Sequence, residues 1–429
     1  MSIILLFISL LFFMGINISI AISMVLSVFL YILLDGRFSY IVFGGGLIHG
    51  LDSFPLLAIP FYILAAEVMN FAKISDRIFD FASVLVGHIR GGLGHVNVLA
   101  SMIMAGMSGS AVADIAGLGQ IEIKAMKERG YDPAFSAAVT SVSATIGPII
   151  PPSIPFVIYG VMCNVSVGHL FAAGLIPGIL LGIIFMITIA LMARVGLVKG
   201  ELQKRPKMRE IVRASIKALP PLFAIVVLLG GIFLGAFTPT EAGAACVLYS
   251  FLLGFIYGDI RVRDIWGILK RGALASANVS FIIATASIFG WVVTQAQIGH
   301  KAYEMIGALS STPWVVIILI NIMMLIAGMF IEGIALLTIS IPVLFPILPS
   351  IGMDPLTLGV LLTLLMMIGL LTPPVGVGSY IAIRIAQASA KDVFKAELPF
   401  YIPLIVMVLL ISFVPSLTLY LPSLIFGSR

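Results

Sequence analysis

The stretch Ile146-Gly147-Pro148-Ile149-Ile150-Pro151-Pro152 returns 222 positions later as Ile368-Gly369-Leu370-Leu371-Thr372-Pro373-Pro374. The register holds outward from it without a gap. Upstream, Gly130, Asp132 and Pro133 fall on Gly352, Asp354 and Pro355, and Ala105-Gly106-Met107 falls on Ala327-Gly328-Met329. Met102, Ala113 and Pro177 meet Met324, Ala335 and Pro399. A hydrophobic chain matches Leu, Ile and Val to itself by chance, but it does not readily align Asp-Pro, Pro-Pro and Gly at one spacing. The chain is a duplication.

Composition says where the duplication lives. Of 429 residues, 61% are hydrophobic and 10% charged, and the mean hydropathy is +1.19. A soluble domain carries about 25% charged residues, so this is an integral membrane protein. At ~20 residues per span there is room for on the order of ten to fourteen membrane segments. The sequence pI of about 9.2 does not point to nucleic acid, because the basic residues lie between apolar runs, where membrane lipids of the cytoplasmic leaflet are the partner. Met1 to Leu34 lacks a basic start and a cleavage site and is read as retained membrane structure. Cys163 and Cys246 lie in apolar stretches, as buried filler.

Lysine and arginine decide how the copies run. Inverted copies place 21 of the 24 on the cytoplasmic side and 3 on the far side; parallel copies would divide them 16 and 8. The positive-inside rule favours inversion. Segments 73–90 and 118–134 then share a side, so the chain between them must return to where it entered. The expected fold is all-α and polytopic, with two inverted-topology repeats, each holding a re-entrant helical hairpin and a broken helix. The first repeat covers 1–198 (hairpin about 93–121, broken helix about 134–162) and the second covers 219–429 (hairpin about 315–343, broken helix about 356–384). A basic cytoplasmic connector, 199–218, joins them. Irregular backbone at membrane depth survives only where protein buries it or a cavity is lined by it, and inverted repeats with broken helices mark secondary transporters.

At such breaks, unpartnered carbonyls can replace the water of a sodium ion and helix N-termini can hold a carboxylate. The first copy offers Ser108 and Ser110 at the hairpin tip, with Asp114 one turn on, opposite Gly147, Ile150 and Pro152. The second offers Gly328, Phe330 and Glu332 opposite Gly369, Thr372 and Pro374. Kinked helices with locally satisfied serines are the plainer alternative. Intramembrane carboxylates are candidates by default, which singles out Glu332 and Asp114. Glu241, in Thr238-Pro239-Thr240-Glu241, fits a helix cap. Asp132 and Asp354 read as helix starts, and Glu67 as a partner for another subunit or for headgroups. No Walker A, His-Glu-x-x-His or Gly-x-Ser-x-Gly motif is present, so an enzyme is not expected.

Together these residues resemble the large membrane subunit of tripartite ATP-independent periplasmic (TRAP) transporters, nearest the sialic-acid branch. The resemblance rests on Ala105 through Ser110 with Ala113-Asp114, on Pro148 through Pro155, on Phe237 through Ala242 and on Leu371 through Gly376. Gly15-Ile16-Asn17 stands where the family has Gly-x-Pro. The resemblance implies a sodium-coupled elevator in the bacterial inner membrane that imports a carboxylate, two or more sodium ions, a small membrane subunit of about four helices, and a periplasmic substrate-binding protein. It also implies that Ser108, Ser110, Asp114, Gly147, Ile150 and Pro152 form one sodium site, with Phe330, Glu332, Gly369 and Thr372 in the other. Substrate would lie between the tips, near Ser110, Ser153 and Gly376. The rival readings are a stand-alone sodium/carboxylate symporter or ion antiporter of related fold, and a membrane scaffold or intramembrane enzyme.

Overall fold

The computed structural model describes residues 2–35, 40–201, 204–298 and 312–427, and among them every regular element is a helix. Arg37, Lys301 and Arg429, the three cations assigned to the far side, lie outside the described residues, as do positions 202–203 of the connector.

Chain order carries the duplication into three dimensions. The first half runs α1 (Ser2–Gly15), α2 (Ile20–Asp35), α3 (Tyr40–His49), α4 (Ala58–Phe71), α5 (Ile74–Val86), α6 (Gly92–Ser108), α7 (Ala111–Ala116), α8 (Leu118–Glu128), α9 (Pro133–Ala144), α10 (Ile154–Cys163) and α11 (Val167–Arg194). The second runs α12 (Met208–Phe233), α13 (Pro239–Tyr257), α14 (Val262–Gln295), α15 (Pro313–Gly328), α16 (Gly333–Leu344), α17 (Pro355–Leu371), α18 (Val377–Ala386), α19 (Ala390–Phe413) and α20 (Ser416–Phe426). Under the offset, α6 corresponds to α15, α9 to α17, α10 to α18 and α11 to α19. The long α14 corresponds to α3 and α4 together, which part around Ser53 and Pro55. Ser53 is extended at φ −144° and ψ 122°, and a 3-10 turn, Phe54–Leu57, with Pro55 in its first turn, then leads into α4. Among the described residues, seven helices are long and apolar enough to span a membrane. The opening segment is two helices that pack on each other, turning through Asn17 at φ 68°.

The broken helices sit at the centre. Every residue of α17 from Leu356 to Leu371 is buried, as is α9 from Ala134 to Ala144. Asp132 and Asp354 accept the backbone N–H groups of Ala134 and Leu356, each at 2.8 Å, and so cap the two helices as the sequence implied. α9 can be enclosed because its side chains are small, but its hydroxyls need partners. Asn97 of α6 donates to Thr140 Oγ1 (2.7 Å) and accepts from Ser143 (2.6 Å), while Ser101 donates to Ser143 (3.0 Å). Thr238 and Glu241 form a reciprocal cap at the start of α13, with Glu241 accepting the Thr238 amide at 2.8 Å. Both cysteines are buried and free.

Contacts between the halves are polar as well as apolar. Tyr159 of α10 donates to the Pro355 carbonyl at 2.7 Å. Glu397 of α19 is fully buried, and its Oε1 accepts from Ser141 of α9 and Ser379 of α18, both at 2.7 Å. One expectation changes: Glu67 is paired within the chain, 3.2 Å from Arg271 of α14, because α4 and α14 pack side by side.

Asn97 ties α6 to α9 at two points, so Asn97→Ala deprives the buried Thr140 hydroxyl of its donor and leaves Ser143 with only Ser101 and the Thr140 carbonyl. The expected cost is about 2 kcal/mol or more, seen as a lowered thermal unfolding midpoint in detergent.

Candidate functional site at the hairpin tips

The first tip forms where α6 stops at Ser108. Gly109 follows at φ +63°, a conformation that side chains other than glycine resist, and a Cβ there would lie 2.6 Å from the Pro152 carbonyl oxygen. The tip therefore lies directly on the irregular segment between α9 and α10. Ser110 starts α7 by accepting the Ala113 amide at 3.4 Å. On α7, Asp114 is buried, and its Oδ2 occupies space that a Cβ on Gly147 would fill, at 2.7 Å. Ser108 Oγ and Asp114 Oδ2 are both buried without a hydrogen-bond partner. Such groups cost free energy unless something satisfies them. Ile150 spends its amide on Ile146 and packs on Gly178 of α11.

The second tip forms where α15 stops at Gly328. A Cβ on Gly369 would lie 2.7 Å from both the Cα and the oxygen of Gly328, so the two backbones are in contact at the end of α17. Glu332 caps α16, accepting the Ala335 amide at 3.2 Å. Thr372 donates to the Ile368 carbonyl at 2.7 Å, and the Val375 amide reaches back to the Met329 carbonyl at 3.3 Å. Both Pro-Pro peptides, Pro151-Pro152 and Pro373-Pro374, are cis.

The tips meet. A cavity of about 50 Å³ has Ser110 and Pro148 on one wall and Glu332 and Met367 on another. Of the residues singled out, Ser108, Asp114, Gly147 and Pro152 gather at the first break, and Gly328, Glu332, Gly369 and Thr372 at the second. Others stand apart. Ser153 is fully buried, its hydroxyl donating to the Pro148 carbonyl and accepting the Phe156 amide, which commits it to starting α10. Gly376 starts α18 and is absent from the lining between the tips. The Phe330 side chain, two residues past the end of α15, is 53% exposed beside Leu319 and Met323 of that helix, so it turns away from the break. Pro374 is exposed.

Several participants escaped the sequence. Asn97, Ser101, Thr140 and Ser143 brace the first tip from behind, and Glu122 on α8 is buried with Oε1 unpartnered. A lone Glu397 beside the apolar run from Leu398 was the one visible signal for the bridge between halves.

Two hairpin tips that meet against paired helix breaks, inside an all-helical apolar chain, define a multi-pass membrane protein of the transporter class. The family described as "Tripartite ATP-independent periplasmic transporter, DctM component" matches residues 7–417. The chain is 40% identical over 384 residues to the sialic acid TRAP transporter large permease protein SiaM of Vibrio cholerae, covering 89% of each. It is 39% identical over 373 residues to the C4-dicarboxylate TRAP transporter large permease protein DctM of Pseudomonas aeruginosa, covering 87% of each. Among solved structures, the Alcanivorax borkumensis YdaH transporter superposes with a TM-score of 0.61 at 14% identity, over 88% of each chain; that likeness is one of fold. The chain belongs to the tripartite ATP-independent periplasmic transporter family, as its DctM component.

Gly369→Ala and Gly109→Ala should each cut uptake by roughly tenfold or more, since each sets a side chain against backbone. Gly267→Ala in α14, where the added Cβ meets only the Arg271 side chain at 3.7 Å, should leave uptake unchanged. Reconstituted uptake, with expression and assembly checked, decides between them.

Proposed function

We propose that this chain is the cargo-carrying subunit of a sodium-coupled importer of an organic acid, with sialic acid as the first candidate. The observation behind it is the meeting of two hairpin tips, with Ser110 and Glu332 lining one gap and the unpartnered Ser108 and Asp114 oxygens a turn behind. Sodium is cargo in this reading. One ion is held by Ser108, Ser110, Asp114 and the backbone at Gly147, Ile150 and Pro152. The other is held by Glu332, Thr372 and the backbone at Gly328, Phe330, Gly369 and Pro374. Oxygen donors without a nitrogen or sulfur ligand suit a hard cation.

The gap of about 50 Å³ is far below the ~300 Å³ or more that organic ligands occupy. Cargo binding therefore requires the tips to part, which agrees with an elevator in which hairpins and broken helices move against the remaining helices. The halves 1–198 and 219–429, joined at 199–218, supply those parts in opposite orientations. A small membrane subunit of about four helices would widen the static part, and a periplasmic binding protein would deliver the acid. The two relatives named for sialic acid and for C4-dicarboxylates are almost equally similar to the chain. Choice of acid thus rests on few contacts, with Ser110 as the first residue to test.

Uptake of labelled sialic acid into proteoliposomes under an inward sodium gradient tests the reading. Transport is expected only when the chain, a small subunit and a binding protein are combined. Transport by the chain alone would replace this reading with a stand-alone symporter. Within the working mixture, Glu332→Gln and Asp114→Asn should raise the sodium concentration for half-maximal uptake by about tenfold, the worth of one charged oxygen contact. Unchanged sodium activation in either variant would remove that residue from its site.

A further inference from the structure

On the basic side of the chain, α5 and the start of α12 enclose a cleft of about 840 Å³ that the transport reading does not use. Arg77 and Asp80 of α5 line it, with Glu210, Arg213 and Lys217 of α12 and Tyr257 at the end of α13. The cations differ in how free they are. Arg77 is spent, since it donates to Asp259 at 2.8 Å and stacks on the Tyr257 ring at 3.9 Å. Arg213 and Lys217 are exposed, and among the described residues neither is in ion-pair contact. Across from them, burial and the neighbouring Asp76 push the Asp80 carboxyl up, and Lys217 pulls it down. The Tyr257 hydroxyl is buried at the cleft without a hydrogen-bond partner.

The cleft thus offers two cations outside ion-pair contact, of which Lys217 faces Asp80, an orphaned hydroxyl, and two carboxylates, of which Glu210 already accepts the Lys207 amide at 2.8 Å and keeps a second oxygen. A phosphate diester that also carries a hydrogen-bond donor satisfies all of them at once. Its position narrows the source. Ile216, in the cleft lining beside Lys217, and further along α12 Leu219 and Phe223 are half or more exposed, at 65%, 66% and 50%. The same helix therefore presents charge at the water boundary and an outward apolar face just below it, where acyl chains lie. We propose that this cleft binds the headgroup of a cytoplasmic-leaflet phospholipid. Arg213 and Lys217 hold the phosphate, Tyr257 donates to it, and Asp80 and Glu210 take the donor of an ethanolamine or glycerol headgroup. α5 packs on α6 as well as on α12, so the lipid sits where the first hairpin joins the longer helices.

Native mass spectrometry of the purified, delipidated chain tests this, using phosphatidylethanolamine, phosphatidylglycerol and phosphatidylcholine of one acyl length, with inorganic phosphate as a separate arm. The two headgroups bearing donors should bind roughly tenfold more tightly than phosphatidylcholine, and the Arg213→Ala/Lys217→Ala pair should abolish that preference. Tyr257→Phe, which removes one hydroxyl, should weaken it by about threefold. Arg261→Ala/Arg263→Ala, on another basic stretch, should change nothing. Equal binding of all three lipids, or equal loss from the control pair, would overturn the proposal. Displacement of lipid by millimolar inorganic phosphate would also overturn it, assigning the cleft to a soluble anion.

Discussion

Inside a bilayer, a backbone amide or carbonyl that leaves its helix must find a partner within the protein. This chain leaves its helices twice at depth, at 145–153 and 372–376, and the rest of the architecture answers to that. The first irregular segment is buried throughout, the second only at its ends, where Leu371 and Gly376 are buried while Pro374 and Val375 are exposed, and each has a hairpin tip laid on it. Glycine sits where tip and break touch, because the contacts are between backbones. Burial there comes from neighbouring helices, so the breaks can remain irregular without exposing their polar groups to lipid.

That constraint also explains what could be read from the sequence. Gly, Asp-Pro and Pro-Pro are local punctuation with strict geometric meaning, and they recur at a fixed spacing. Duplication, hairpins, breaks and the two capping aspartates were therefore legible from residue identity alone. Lys and Arg carry the expected orientation, because they respond to the membrane as a whole. Side-chain partnerships were much less legible. Ser153 looks like a ligand in sequence, yet its hydroxyl is used up starting its own helix. Glu67 looks free at the end of an apolar run, but packing of α4 on α14 brings Arg271 to it. Phe330 falls at a tip, while its ring points outward. Asn97 and Glu397 gave little warning, since a lone polar residue in an apolar helix does not say which neighbour it meets. Periodicity fixes what a residue is next to along a helix, not across one.

The two tips are equivalent in outline and different in chemistry. The first hides two unpartnered oxygens behind a serine-rich turn, braced by an amide–hydroxyl chain running from α6 into α9. The second presents a carboxylate that already caps its own helix and leans on direct backbone contact between Gly328 and Gly369. A cation entering the first break would satisfy groups that now lack partners. At the second, it would have to share Glu332 with the Ala335 amide. Under the proposed sodium reading, the two ions would therefore bind with unequal affinities.

The bridge made by Glu397, Ser141 and Ser379 has no twin. Shifted by the offset, its members become Leu175, Thr363 and Val157, only one of which carries a hydroxyl. A half-length ancestor pairing with an inverted copy of itself would have had the bridge twice or not at all. Its single occurrence shows that the two copies have drifted apart at these positions, by gain of one bridge or loss of its twin. The bridge is a mark of divergence: one polypeptide holding both copies carries an asymmetry that a symmetric pair of identical chains could never encode.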